Sequence, residues 1–173
     1  MSLFSDISGA SDLQDTCSVV PLSSCPEHLK TIALWFHQER QLAGFSGSLS
    51  DAENRLRDQN PVEDIPFTAV ALLDGLVVGA ASLVYYQVTG AAEEGEPWLS
   101  NVYVIEASRN QGLGSQLVTY MEDFARHRAF TKLKLFTVDK RDFYQRRGWV
   151  FEHKARVGRR DVDIMSLNLD GVL

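Results

Sequence analysis

The sequence predicts a mixed α/β fold, one sheet with helices on both faces. Three observations predict it. Runs of β-branched and aromatic residues alternate with segments of helical periodicity along the 173-residue chain. The dipeptide Asp74-Gly75 lies between two apolar runs, a strong hairpin signal. A β-like run at 98–105 passes into a glycine-bearing loop and then into an amphipathic helix. No internal repeat or second domain is visible, so residues 17–173 are expected to form one domain. A loosely ordered, Ser-, Asp- and Gly-rich segment at 1–16 is expected to precede it.

In chain order, residues 17–22 read as the first strand. Ser24-Cys25-Pro26-Glu27 is a capping-box signature with proline in the first turn. It opens a helix that turns Leu29, Ile32, Ala33 and Phe36 inward. A Gly- and Ser-bearing loop at 41–49 follows. Ser50-Asp51-Ala52-Glu53 repeats the capping pattern before a short helix reaching about Gln59. Strands at 67–73 and 76–87 flank Asp74-Gly75, and an acidic loop at 89–97 leads to the strand at 98–105. After the glycine loop, Leu113, Leu117, Met121 and Phe124 form a stripe that Val118 and Ala125 widen. Gln116, Thr119, Glu122, Asp123 and Arg126 fall on the other side, and Arg126, His127 and Arg128 suit the negative end of the helix dipole. A strand at 132–138 alternates Lys132 and Lys134 with Leu133 and Leu135. Asp139 is the expected N-cap of a short helix ending at Gly148. Strands at 149–156 and 161–169 pair across the turn 157–160.

The run Arg109-Asn110-Gln111-Gly112-Leu113-Gly114-Ser115 suits a pyrophosphate. Gly112 and Gly114 lack a Cβ, so the backbone can turn sharply and approach a ligand. The following helix presents its first unpaired N–H groups and the positive end of its dipole. Arg109 adds a fixed charge. The spacing is neither the Gly-x-Gly-x-x-Gly of dinucleotide folds nor a Walker loop closed by Gly-Lys-Ser/Thr. Alone, an ordinary glycine turn or a generic nucleotide loop would read equally well.

A second segment, Phe143-Tyr144-Gln145-Arg146-Arg147-Gly148-Trp149, lies about thirty residues downstream. With these two motifs the chain resembles the GNAT superfamily of acyl-CoA-dependent N-acyltransferases. The first matches that family's Arg/Gln-x-x-Gly-x-Gly/Ala loop and the second its Phe-Tyr-x-x-x-Gly-Phe segment, and the order of elements fits from about Ser18 onward. The resemblance implies a GNAT-like, mostly antiparallel twisted sheet of about six to seven strands, with acetyl-CoA as acyl donor. It implies that the backbone of Val102, Tyr103 and Val104 bonds the pantetheine arm as an added strand. Arg109 and Asn110 would open the loop whose N–H groups, from Gln111 through Gly112, Leu113 and Gly114 to Ser115, wrap the pyrophosphate. The reaction implied is direct attack of an amine on the thioester, with an N–H near Val104 as oxyanion donor. Tyr144 would protonate the departing thiolate, or would merely pack and bond the sulfur. A non-catalytic acyl-CoA-binding or regulatory module of the same fold is the alternative function.

Two departures from the family pattern stand out. The strand before the loop carries Trp98, Ser100 and Asn101 where some relatives place a glutamate, so the general base is open among Glu96, Glu39, His37 and a water chain ending on Ser100 or backbone. Thr137-Val138-Asp139 stands where many relatives have a pantetheine-anchoring asparagine, leaving Thr137 to touch the cofactor. Acceptor choice is expected from the first two helices, the 84–97 region and the last strands. Trp35, Phe36, Tyr85, Tyr86 and Trp98 could line an acceptor pocket or pack in the core. A peptide N-terminus, a polyamine, an amino acid and an aminoglycoside all fit at this stage.

Composition sets the remaining expectations. A net charge of −6 argues against general nucleic-acid binding and mildly favours cationic amine acceptors. Arg141, Arg146, Arg147, Lys154, Arg156, Arg159 and Arg160 crowd the last third, mostly as a solvated face. No apolar run reaches membrane-spanning length and no charged-then-apolar leader pattern opens the chain. Cys17 and Cys25 form neither a metal spacing nor a disulfide framework, and the four histidines are scattered. The expectation is a cytoplasmic, metal-free protein, with a homodimer suggested by family habit alone.

Overall fold

The computed structural model describes residues 16–58, 64–85 and 95–170. Its seven strands are β1 (Cys17–Pro21), β2 (Phe67–Leu73), β3 (Leu76–Val84), β4 (Trp98–Val104), β5 (Lys132–Thr137), β6 (Val150–Val157) and β7 (Arg160–Asn168). Its helices are α1 (Leu29–Leu42), α2 (Leu49–Asp58), α3 (Leu113–His127) and α4 (Arg141–Gln145). The strands form one sheet in the order β1-β2-β3-β4-β5-β7-β6. Every neighbouring pair is antiparallel except β4 and β5.

Alternation along the strands sends side chains to two helical layers. Ala69 and Ala71 of β2 face one core with Leu113, Leu117, Val118, Met121 and Ala125 of α3. Val70 between them faces the other core, with Ile32, Ala33 and Phe36 of α1 and Ala52 and Leu56 of α2. The small residues on β2 and β3 let the helices approach the sheet closely. At the β2–β3 turn, Asp74 (φ 50°) and Gly75 (φ 79°) both adopt the left-handed conformation that a two-residue hairpin needs. Thr16, at the end of the segment expected to be loose, bonds Asp74 through its backbone N–H; residues 1–15 lie outside the described residues.

One irregularity sets up the site. Tyr103 pairs with Ala80 and Ser100 with Ser82, so Asn101 and Val102 together oppose Ala81 alone. Asn101 takes φ 54° at this bulge. The extra residue turns the second half of β4 over: Leu99, Val102 and Val104 pack toward α3, while Tyr103 packs toward α1 against Trp35, ring centroids 5.1 Å apart. Strict alternation from Leu99 would have placed Tyr103 on the α3 side.

Local signals chose other residues than those expected at three helix starts. Ser24 caps nothing; two 3-10 turns, Leu22–Ser24 and Pro26–His28, precede α1, because Pro26 starts its own short turn. The box at α2 is Ser48 with Asp51, not Ser50 with Glu53: Asp51 N–H donates to Ser48 Oγ (3.1 Å) and Ser48 N–H to Asp51 Oδ2 (2.9 Å). Asp139 does not cap α4; instead Lys140 N–H donates to Thr137 Oγ1 at 3.0 Å. The acidic loop expected at 89–97 falls mostly outside the described residues, as does Tyr86.

Candidate active site

Strands β4 and β5 touch at one register position only, Trp98 opposite Lys134, with Lys134 N–H donating to the Pro97 carbonyl at 3.1 Å. Beyond it they part. A cleft of about 480 Å³ opens where they diverge, lined by Ser100, Asn101, Val102 and Tyr103 of β4 and by Leu135, Phe136, Thr137, Val138 and Asp139 at the β5 side. Its floor includes Ser82, whose hydroxyl pairs with that of Thr68 at 2.8 Å. Among the described residues no strand lies beside the β5-facing edge of residues 102–104, so that edge can accept an extended ligand as a further strand.

The glycine loop sits at the same end of β4. A 3-10 turn, Glu106–Ser108, leads to Arg109, whose Nε–H donates to the Val104 carbonyl at 2.9 Å and whose guanidinium lies 5.9 Å from the Tyr103 ring. Asn110 (φ 62°) and Gly112 (φ 79°) are left-handed, and Gly112 is the residue before α3. The first helical bond runs from Gln116 N–H to the Gly112 carbonyl, and no side chain caps the helix. The amides of Leu113, Gly114 and Ser115 therefore have no helical acceptor. A Cβ built at Gly112 or Gly114 meets nothing within 4 Å, so open space faces this turn. Free amides, a dipole end and clear space fit an anionic diphosphate. Residues 109–115 do not line the 480 Å³ cleft, which starts one step further down β4.

Tyr144 is buried, 7% exposed, yet lines the cleft from α4. Its ring meets Phe143 at 4.9 Å and Trp149 at 5.8 Å, both edge-on. The turn after α4 closes through Gly148 (φ 90°), with Gly148 N–H on the Gln145 carbonyl and Trp149 N–H on the Tyr144 carbonyl. Burial pushes the phenol pKa up to about 12, with Arg147 pulling it down and Glu122 pushing it up. Glu122 itself corrects the helical-wheel expectation. It lies on the buried side of α3, accepting Trp149 Nε1–H at 2.9 Å, with Arg147 Nη2 at 3.4 Å. Arg147 Nη2 also reaches Thr119 Oγ1 at 2.7 Å. This polar group behind the tyrosine was missed because its members are far apart in sequence.

The other site residues divide cleanly. Val102, Tyr103, Thr137 and Tyr144 converge on the cleft; Val104 lies just beyond it, its carbonyl engaged by Arg109. Among the groups weighed as base, Glu39 and Ser100 line the cleft and His37 does not. Glu96 is held at the strand junction instead, 3.0 Å from Lys134 Nζ and 3.9 Å from Lys132 Nζ. Of the aromatic residues weighed for an acceptor pocket, Phe36 and Tyr85 line the cleft. Trp98 is core, 2% exposed with Val84, Val162 and Ile164, and Trp35 packs on Tyr103. Of the basic residues in the last third, Arg141 stacks on Phe151 at 4.0 Å, and Lys154 and Arg156 are ion-paired. Arg160 alone among those seven lines the cleft. Sequence gave no pointer to Arg55 or Arg40 there, since neither lies in a motif.

The sequence model of the acetyltransferase (GNAT) family matches residues 29–149, well over half of the chain. No curated protein matches. Solved structures of the same fold include a ribosomal-protein-alanine N-acetyltransferase from Brucella melitensis, 20% identical with a TM-score of 0.68, covering 87% of this chain and 99% of that one. Another is yncA of Salmonella typhimurium, solved with its cofactor acetyl-CoA, 19% identical with a TM-score of 0.64, covering 90% and 95%. A third is the N-acetylglutamate synthase of Neisseria gonorrhoeae with coenzyme A and N-acetyl-glutamate, 17% identical with a TM-score of 0.62. That match covers 89% of this chain and 35% of the synthase.

Proposed function

The chain belongs to the acetyltransferase (GNAT) family, and from that premise we propose that it transfers the acetyl group of acetyl-CoA to a primary amine, with Tyr144 as general acid. The single observation that carries this reading is the parting of β4 from β5 after Trp98 and Lys134, with Tyr144 on the cleft so formed. The unpaired edge at Val102 and Tyr103, continued by Val104 whose carbonyl is taken by Arg109, suits the amides of the pantetheine arm. The amides of Gln111 to Ser115, introduced by Arg109 and Asn110, suit the diphosphate. Thr137 lines the cleft while its Oγ1 accepts Lys140 N–H, so it holds the start of α4 beside the donor.

In the reaction, the amine nitrogen forms a bond to the thioester carbonyl carbon and the carbon–sulfur bond breaks. The Tyr144 hydroxyl gives its proton to the departing thiolate, and the surplus proton on nitrogen leaves toward Glu39 through water. A phenol with its pKa pushed up to about 12 is protonated throughout the working range, which suits an acid and not a base. No helix among the described residues is long and apolar enough to cross a membrane. Cys17 and Cys25 are both free thiols, and we place the protein in the reducing cytoplasm.

Calorimetry with acetyl-CoA, followed by thiol-release assays on a panel of amines, tests the proposal. Binding with thiol release that depends on the amine supports it. Failure to bind acetyl-CoA overturns it, and tight binding with no release for any amine favours the non-catalytic alternative.

A further inference from the structure

We infer that the acceptor is a small amine that also carries an anionic group, a carboxylate or a phosphate, received by the guanidinium groups of Arg55 and Arg160. This rests on the acetyltransferase reading of the cleft and names the substrate class within it. The whole chain carries a net charge of −6, which by itself would favour cationic acceptors. The cleft reverses that balance. Its described lining holds four cations, Arg40, Arg55, Lys140 and Arg160, against two carboxylates, Glu39 and Asp139. A cleft whose lining carries a net positive charge raises the local concentration of anionic ligands.

The two arginines come from different parts of the fold, and both line the cleft. Arg55 stands on α2, and Arg160 begins β7 just after the hairpin tip. That tip docks on the link between α1 and α2, with Arg159 N–H donating to the Ala43 carbonyl at 3.1 Å. The fit is close, since a Cβ built on Gly158 would lie 2.5 Å from the same carbonyl. Among the described residues neither Arg55 nor Arg160 makes a salt bridge within 4 Å, whereas Arg126, Arg141, Arg147 and Arg156 each make one. The acid that acts on Arg55 is the exposed Asp51, one turn back on α2, whose carboxyl pKa is lowered first by hydrogen bonds from Ser48 and further by Arg55. The glycine loop does not line this cleft, so its diphosphate role leaves these arginines unassigned. A guanidinium fork pairs two N–H groups with the two oxygens of a carboxylate or phosphate. Polyamines and aminoglycosides, cationic throughout, would meet repulsion from this net positive lining.

Thiol release is compared for the standard amino acids against their amides, and for O-phosphoethanolamine against ethanolamine, with spermidine and kanamycin alongside. The anionic member of the preferred pair should exceed its neutral counterpart by at least about tenfold in kcat/KM, and the pair that responds separates carboxylate from phosphate. Arg160→Gln and Arg55→Gln should each raise the acceptor KM about tenfold or more while leaving the acetyl-CoA Kd unchanged, and Arg160→Lys should recover part of the loss. Calorimetry of the same amines on protein saturated with CoA reads recognition even without turnover. Preference for amides, ethanolamine, spermidine or kanamycin overturns the inference while the transferase reading stands. So do variants that weaken acetyl-CoA as much as the acceptor. Wild-type protein that does not bind acetyl-CoA overturns the transferase reading first.

Discussion

Burial of the Tyr144 phenol bears on stability and, under the proposed general-acid role, on turnover. Replacement by Phe keeps the ring packing against Phe143 and Trp149 and removes only the hydroxyl. Turnover is expected to fall about 10²-fold, with the acetyl-CoA Kd changed less than about threefold, read by steady-state kinetics and calorimetry. The wild-type rate should show no falling alkaline limb from its acid below a pH of about 12. For stability the sign is fixed by the raised pKa. The folded state holds the proton more tightly than the unfolded chain, so the contribution is complete below the ordinary value of 10 and is lost as pH rises toward 12. Urea titrations at alkaline pH should show Tyr144→Phe losing less stability than wild type over that window. The place of Tyr144 on the cleft was legible, because it sits in a motif whose spacing survives in sequence. Glu122 was not: a helical wheel sorts residues by apolar neighbours, and the partners that make its burial tolerable, Arg147 and Trp149, lie 25 and 27 positions away.

At the scale of elements, two glycines carry different burdens. Gly112 needs only its left-handed conformation, since a Cβ there meets open space. Gly112→Ala should cost about 1–2 kcal/mol in denaturant unfolding and weaken acetyl-CoA, because the turn would relax away from the α3 amides. Gly79 is the opposite case: a Cβ would lie 2.7 Å from the Tyr103 carbonyl, backbone that cannot yield. Gly79→Ala should cost about 1–3 kcal/mol and also disturb the donor groove, since it pushes on β4 beside the bulge. Thermal unfolding with and without acetyl-CoA separates the two effects. The strands and helices themselves could be read from alternation, periodicity and Asp74-Gly75. Helix starts could not. Ser48 and Ser50 each stand three residues before an acidic residue, and the choice fell to Ser48, which lets Leu49 pack against the α1–α2 core. That is a tertiary decision that a local pattern cannot express.

For the whole molecule, the junction where β4 and β5 still touch is braced by charge. Lys134 is buried and lies 3.0 Å from Glu96 and 3.8 Å from Glu152, while Lys132 lies 3.2 Å from Glu152. Burial would raise the Glu152 pKa, but the Ser166 hydroxyl, then Lys132 and Lys134, bring it below the ordinary carboxylate range. Stability from Glu152 is thus present above its unfolded pKa and lost as pH falls through the folded one. Glu152→Gln should flatten the acid side of a stability–pH curve. Lys134→Met should cost about 2 kcal/mol, below the usual range for a fully buried pair because both carboxylates remain partly solvated. Three strands meet in this network, which is why the sequence showed Lys132 and Lys134 only as the polar side of an alternating strand. The bulge at Asn101 leads further. Flattening β4 there with all its residues kept would turn Val102 and Val104 off the α3 layer and bring Tyr103 onto it. A chain that ironed out the kink would therefore unseat its own interior, so the seating of those two valines itself keeps this stretch of β4 irregular beside the opening.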